Sequence, residues 1–177
     1  MLKTIAHSCL VALTASLLGA CASSAPGLED GEVLEANDEL VGTAQLPPTG
    51  NAAAIATWLK SGVYKSWKCE AAAHPRRGVS PHGMNRICSN TALSTSVAGN
   101  YPVGAAGVKE IYTGTTITGY AFYRKLKAGA GADKWYWYED LNNAVQANGP
   151  GTSGVPKTVC AGCHSSAPRD FVFTPVR

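Results

Sequence analysis

Five residues near the end of the chain, Cys160-Ala161-Gly162-Cys163-His164, constrain it more than any other stretch. A C-x-x-C pair followed directly by histidine is the attachment signature of a c-type haem. The thiols would add across the haem vinyl groups, and the histidine is placed to bind iron from the proximal side. Two other uses of C-x-x-C compete. A zinc site needs further ligands nearby, and this segment offers no second C-x-x-C and no H-x-x-x-H. A thioredoxin-like pair opens a helix early in a βαβ pattern, whereas this one lies close to the C-terminus. The expectation is one covalently attached haem c on Cys160 and Cys163, with His164 as its metal ligand.

The N-terminus predicts a matching compartment. Lys3 is the only charge before an apolar run from Ile5 to Leu18, which at 14 residues is a signal-peptide core too short for a permanent membrane span. The run ends in Leu18-Gly19-Ala20-Cys21, which is similar to a bacterial lipobox. Residues 1–20 are therefore expected to be removed and Cys21 lipidated, with an ordinary signal peptide and an incidental Cys21 as the alternative. Ala22, rather than an acid, follows the cysteine, and this favours the outer membrane. The expected location is the periplasmic face of a bacterial membrane, where c-type haems are attached.

Residues 21–48 read as a flexible tether. They carry Glu29, Asp30, Glu32, Glu35, Asp38 and Glu39, no Lys or Arg, and little apolar surface to bury. About 25 such residues reach roughly 25–30 Å. A short amphipathic helix from Leu28 to Leu40 is the alternative. The tether holds half of the chain's 12 acids, so the rest, residues 49–177, has fourteen Lys and Arg against six acids. A net charge near +8 steers anionic partners, acidic redox proteins among them. Export and the absence of a basic run argue against nucleic acid.

Six cysteines are present, and four have expected fates: Cys9 leaves with the signal, Cys21 takes lipid, and Cys160 and Cys163 hold haem. In an oxidising compartment the remaining Cys69 and Cys88 most simply form a disulfide, with two separate buried thiols as the alternative. The basic loop between them, His74-Pro75-Arg76-Arg77 to Ser80-Pro81-His82-Gly83, reads as stiff, and Arg76, Arg77 or Arg86 are candidates to pair with haem propionates.

Secondary structure follows from caps, turns and periodicity. Asn51 caps a helix through Ala52–Leu59 that stops or kinks at Gly62. Strands are expected at Met84–Ser89, Gly107–Thr113, Ile117–Leu126 and Lys134–Glu139, separated by Thr113-Gly114-Thr115 and by Gly129-Ala130-Gly131-Ala132-Asp133. Turns this short require antiparallel pairing. A helix with Pro156 in its first turn carries the cysteine motif, and a short strand, Asp170–Thr174, closes the chain. The fold class is α+β, a small antiparallel sheet packed with helices and ending in a haem-attachment helix.

The distal side is less defined. Only 13 residues follow His164, none of them Met, and Met84 is the one methionine beyond the signal. His74, His82 and Met84 are the candidate distal ligands. An open or water-bound distal position is the expectation, and open iron favours small-ligand chemistry.

Three patches resemble the cytochrome P-460 family. They are the tail Asp170-Phe171-Val172-Phe173-Thr174, the turn and strand from Tyr101-Pro102-Val103-Gly104 to Val108-Lys109-Glu110, and the aromatic strand Trp135-Tyr136-Trp137-Tyr138. The resemblance spans roughly residues 50–177. It implies that Lys109 bonds covalently to a haem meso carbon, and that the iron binds or redox-transforms a small nitrogen species, nitric oxide or hydroxylamine. A related branch, cytochrome c′-beta, keeps the fold without the crosslink. The physical reading of Lys109 is separate: on a strand it shares a face with Ile111, and an apolar cavity would drive it toward its neutral, nucleophilic form. A solvated or ion-paired lysine is the alternative.

The resemblance also implies a distal carboxylate on the strand after the lysine strand. Here that strand, Ile117 to Lys125, contains no acid. Glu139 and Asp140 replace it only if the fold brings them there. Phe122 or Tyr120 is expected as an aromatic distal wall. The alternative to a small-nitrogen haem protein is a tethered electron carrier with six-coordinate haem and a redox partner protein.

Overall fold

The computed structural model describes residues 46–78 and 80–177. The segments read above as signal peptide and lipobox, with Cys21, and nearly all of the expected tether lie outside them. Among the described residues no helix is long and apolar enough to cross a membrane.

The first element is a helix, α1 (Ala52–Ser61). The Asn51 side chain accepts a hydrogen bond from the Ala54 amide, and Gly62 closes the helix in the left-handed region at φ 72°. Both are favoured capping devices, since they satisfy end groups that have no partner within the helix. Ile55 and Leu59, one turn apart, are its buried face. A 3₁₀ turn (Val63–Ser66) adds Tyr64 to that face.

Six antiparallel strands follow in simple sequence order: β1 (Lys68–Cys69), β2 (Met84–Ser89), β3 (Ala106–Thr113), β4 (Thr116–Lys125), β5 (Trp135–Leu141) and β6 (Ala144–Pro150). One short helix, α2 (Thr91–Ser94), lies between β2 and β3. After β6 comes a π-helical segment (Pro156–Ala161) running into a final helical turn, α3 (Gly162–His164), followed by the C-terminal tail. The molecule is thus mixed α+β, a six-stranded antiparallel sheet with a few short helices.

Strand alternation gives the sheet two different faces. One packs against α1, where Val108, Phe122, Tyr136 and Tyr138 meet Ile55, Leu59 and Tyr64. The other carries Trp135 and Trp137 into a second cluster with Leu93, Tyr101, Ala161 and Val172. This is why the Trp-Tyr-Trp-Tyr run is continuously apolar: both faces of β5 are covered.

The structure differs from sequence expectation at several elements. Asp170–Thr174 is not a strand: Asp170 and Phe171 have positive φ, and only an isolated bridge joins Arg169 to Val172. β6 was not anticipated. Its residues Ala-Val-Gln-Ala-Asn-Gly-Pro have weak strand propensity, and it stands between the aromatic strand and the cysteine motif. The domain also starts before residue 49. Pro47 is buried, and its carbonyl accepts a 2.8 Å hydrogen bond from Arg124 Nη1.

Candidate functional site

The face opposite α1 is partly open. There the sheet, the β1–β2 loop, the cysteine-bearing helix and the C-terminal tail enclose a cavity of about 410 Å³. That is within the range of cofactor sites. Cys160, Cys163, His164, Lys109, His82 and Glu139 all line it.

His164 is held by the tail. Its Nδ1–H donates to the Phe171 carbonyl at 2.7 Å, and a carbonyl only accepts. The proton is thereby fixed on Nδ1, leaving the lone pair on Nε2, the arrangement found in metal-binding histidines. The imidazole packs against Trp137, with ring centroids 4.7 Å apart, and against Phe173 at 5.1 Å. Burial pushes its pKa down to about 4, so the ring is neutral and able to ligate at neutral pH.

The tail is itself anchored. The Asp170 carboxylate accepts from Lys125 Nζ at 2.7 Å, from the Tyr101 amide at 2.8 Å and from Trp135 Nε1 at 3.3 Å. Lys125 and Asp170 are both buried, so the pair is compensated only because these bonds are complete. A physical cause for the Asp-Phe-Val-Phe-Thr pattern follows. The acid pins the tail, the next carbonyl fixes the imidazole, and Phe173 covers it.

Cys160 and Cys163 are free thiols on the cavity wall. Burial, reinforced by the charge of Glu139, pushes the Cys160 thiol up to about 11. It is a protonated thiol, unlike the low-pKa nucleophile of a thioredoxin-like pair.

On the sheet floor the register sets Lys109 beside Ala121 and Ala121 beside Glu139. The two charged residues are two strands apart, about 10 Å between backbones, with only a methyl group between them. Burial pushes the Lys109 ammonium below its usual value, against the attraction of Glu139 and Glu70. Glu139 thus places a carboxylate on the cavity wall, which β4 does not. Asp140 does not either: its carboxylate accepts from the Tyr120 amide and the Tyr138 hydroxyl on the α1 side.

Phe122 borders the cavity, but its ring and that of Tyr120 pack on the other side of the sheet. Phe122 stacks on Tyr138 and Tyr136 in the α1-facing core, at 5.6 and 6.1 Å, and Tyr120 meets Tyr64 there. Alternation decides this: Ala121 and Tyr123, their neighbours on β4, face the cavity instead. Of the candidate distal ligands, His82 lines the cavity. His74 instead donates to Glu70 at 2.9 Å, and Met84 is exposed at the start of β2.

Cys69 and Cys88 lie opposite each other in the β1–β2 register and are joined in a disulfide. Arg77 also lines the cavity but is committed to Glu70 at 2.6 Å, and Arg86 lies 3.8 Å from Glu110. No protein-family model matches the chain, and a search of curated proteins gives no match.

Proposed function

We propose that this protein is an exported mono-haem c-type cytochrome of the P-460 kind, which binds or redox-transforms a small nitrogen species at an open distal iron site. One observation carries the reading: both thiols, the lone-pair-bearing His164, Lys109 and Glu139 converge on a single cavity. The donor set suits haem c. Cys160 and Cys163 would hold it through thioethers, His164 Nε2 would bind iron, and Tyr123, Trp137 and Phe173 would pack around it. When bound, the haem supplies the redox centre and the position where a small ligand sits.

The remaining residues act on that ligand and on the ring. Lys109, desolvated and therefore biased toward the free amine, suits covalent attachment to the haem edge. Glu139 supplies the proton acceptor that hydroxylamine chemistry needs and that β4 does not contain. At Cys21 a lipid would anchor the domain to the periplasmic face of the outer membrane, with a redox partner protein collecting electrons. A second reading has one specific support: His82 lines the same cavity. As a sixth ligand it would make the protein a tethered electron carrier.

Intact mass and the optical spectrum of holoprotein, matured with haem-attachment machinery and without its lipid anchor, test both readings. Haem mass surviving denaturation is expected, with the loss of two further hydrogens and a red-shifted ferrous Soret band that Lys109→Met abolishes. Absence of covalent haem, in cells that mature a control cytochrome, overturns the proposal. A low-spin six-coordinate spectrum selects the electron carrier.

A further inference from the structure

We propose that His82 is the proton relay of this cavity, passing protons between Glu139 and solvent. The inference rests on the haem reading above and adds the route by which a bound ligand's proton leaves.

The geometry begins with the loop. His82 sits between Pro81, which fixes its own φ, and Gly83, which turns into β2 at φ 52°. Both ends of the loop are pinned. The Cys69–Cys88 disulfide joins the strands it connects, and Glu70 at its start accepts from Arg77, His74 and the Ile87 amide. The loop thus holds the imidazole against the cavity, with Nδ1 3.5 Å from Glu139 Oε1 and the two side chains only 14% and 16% exposed.

That nitrogen is buried and has no hydrogen-bond partner. Buried polar groups are normally paired, and a carboxylate within reach of this one is that of Glu139. At 3.5 Å the pair is just outside hydrogen-bond range, and a small side-chain rotation closes it. Three of the other charged and titratable groups around His82 are committed elsewhere, and the fourth, Lys109, is drawn to Glu139 itself. Arg77 is bound to Glu70, the His164 proton is bound to the Phe171 carbonyl, Lys109 is desolvated, and Cys163 is reserved for thioether attachment.

The step moves protons and no electrons. A protic ligand of the class H–X, such as hydroxylamine or hydrocyanic acid, enters neutral. Its proton passes to the Glu139 carboxylate, then to His82 Nδ1, and the imidazolium releases its Nε2 proton to water. Glu139 ends as the carboxylate, X⁻ stays in the cavity, and one proton reaches the bulk. Exchange with solvent resets the imidazole tautomer.

Cyanide association with the ferric holoprotein, followed at the Soret band from pH 5 to 9, reads this route directly. His82→Gln should bind cyanide at least about tenfold more slowly. Raising the concentration of a non-ligating buffer should restore the rate. Glu139→Gln should be as slow, and the double variant no slower than either single one. An unchanged rate in His82→Gln across that pH range overturns the relay. So does a low-spin wild-type spectrum that becomes high-spin in His82→Gln, because His82 is then an axial ligand. If no haem is attached at all, the mass spectrum shows it first and the underlying reading falls with the relay.

Discussion

At the scale of single residues, two carboxylates do most of the positioning. Asp170 is buried with Lys125 and also bonds Tyr101 and Trp135. Replacing it with Ala leaves a buried ammonium without its counter-charge, and the expected cost is about 3–5 kcal/mol. Denaturant unfolding of Asp170→Ala checks this, and a loss below about 1 kcal/mol would mean that the pair behaves like a surface one. Glu70 is the second. Burial by itself would raise its pKa, but Arg77, the Ile87 amide and His74 hold it below the ordinary 4.5. A depressed carboxyl favours folding above its unfolded pKa and loses that contribution as pH falls through the folded value. Wild type should therefore exceed Glu70→Gln in stability at pH 7, with the gap closing below about pH 4.5. Denaturation midpoints at pH 7, 4 and 3 measure it.

At the scale of elements, the β1–β2 connection depends on its crosslink. β1 is only two residues long, and the loop after it makes one isolated bridge, His74 to Asn85. So few ladder bonds give little local stability. The disulfide spans a sequence separation of 19, and its removal in Cys69→Ala/Cys88→Ala should cost about 3 kcal/mol. Amide exchange should rise mainly over residues 70–83, and a uniform rise across the sheet would contradict this assignment. The β5–β6 hairpin shows what the sequence did contain. Asn142 and Asn143 both adopt positive φ, the requirement of a two-residue type I′ turn. That Asn pair, directly after an aromatic strand, was the available signal for β6.

At the scale of the molecule, charge is distributed unevenly. Five of the six acids of the folded part are tied to a partner, Glu70 to Arg77, Glu110 to Tyr64 and Tyr112, Asp133 to Lys134, Asp140 to Tyr120 and Tyr138, and Asp170 to Lys125, while the sixth, Glu139, lies beside His82. The excess of fourteen Lys and Arg over six acids is thus expressed mostly as exposed cations. On the proposed haem reading, oxidation of the ferrous holoprotein by ferricyanide should slow as ionic strength rises, and oxidation by a cationic cobalt complex should quicken. Stopped-flow rates between 20 and 500 mM salt decide it, with equal salt dependence for the two oxidants as the contrary result.

Much was legible in the chain itself, because some physics is local. Asn51 and Gly62 cap the same helix in sequence and in structure, and the four anticipated strands appear within about two residues of their expected ends. Capping, turn chemistry and spacing depend only on near neighbours along the chain. The cavity depended on distant ones. Alternation placed Lys109 on one face of its strand, but only the pairing of β3, β4 and β5 put Glu139 across from it. The same register turned Phe122 toward α1, because which face is buried depends on what the rest of the chain packs there. Asp170 gave no sign in sequence that it would hold Lys125, 45 residues away. Local chemistry determined the elements and the C-x-x-C-H sequence, while sheet register and burial, which are set by the whole fold, decided which side chains share its cavity.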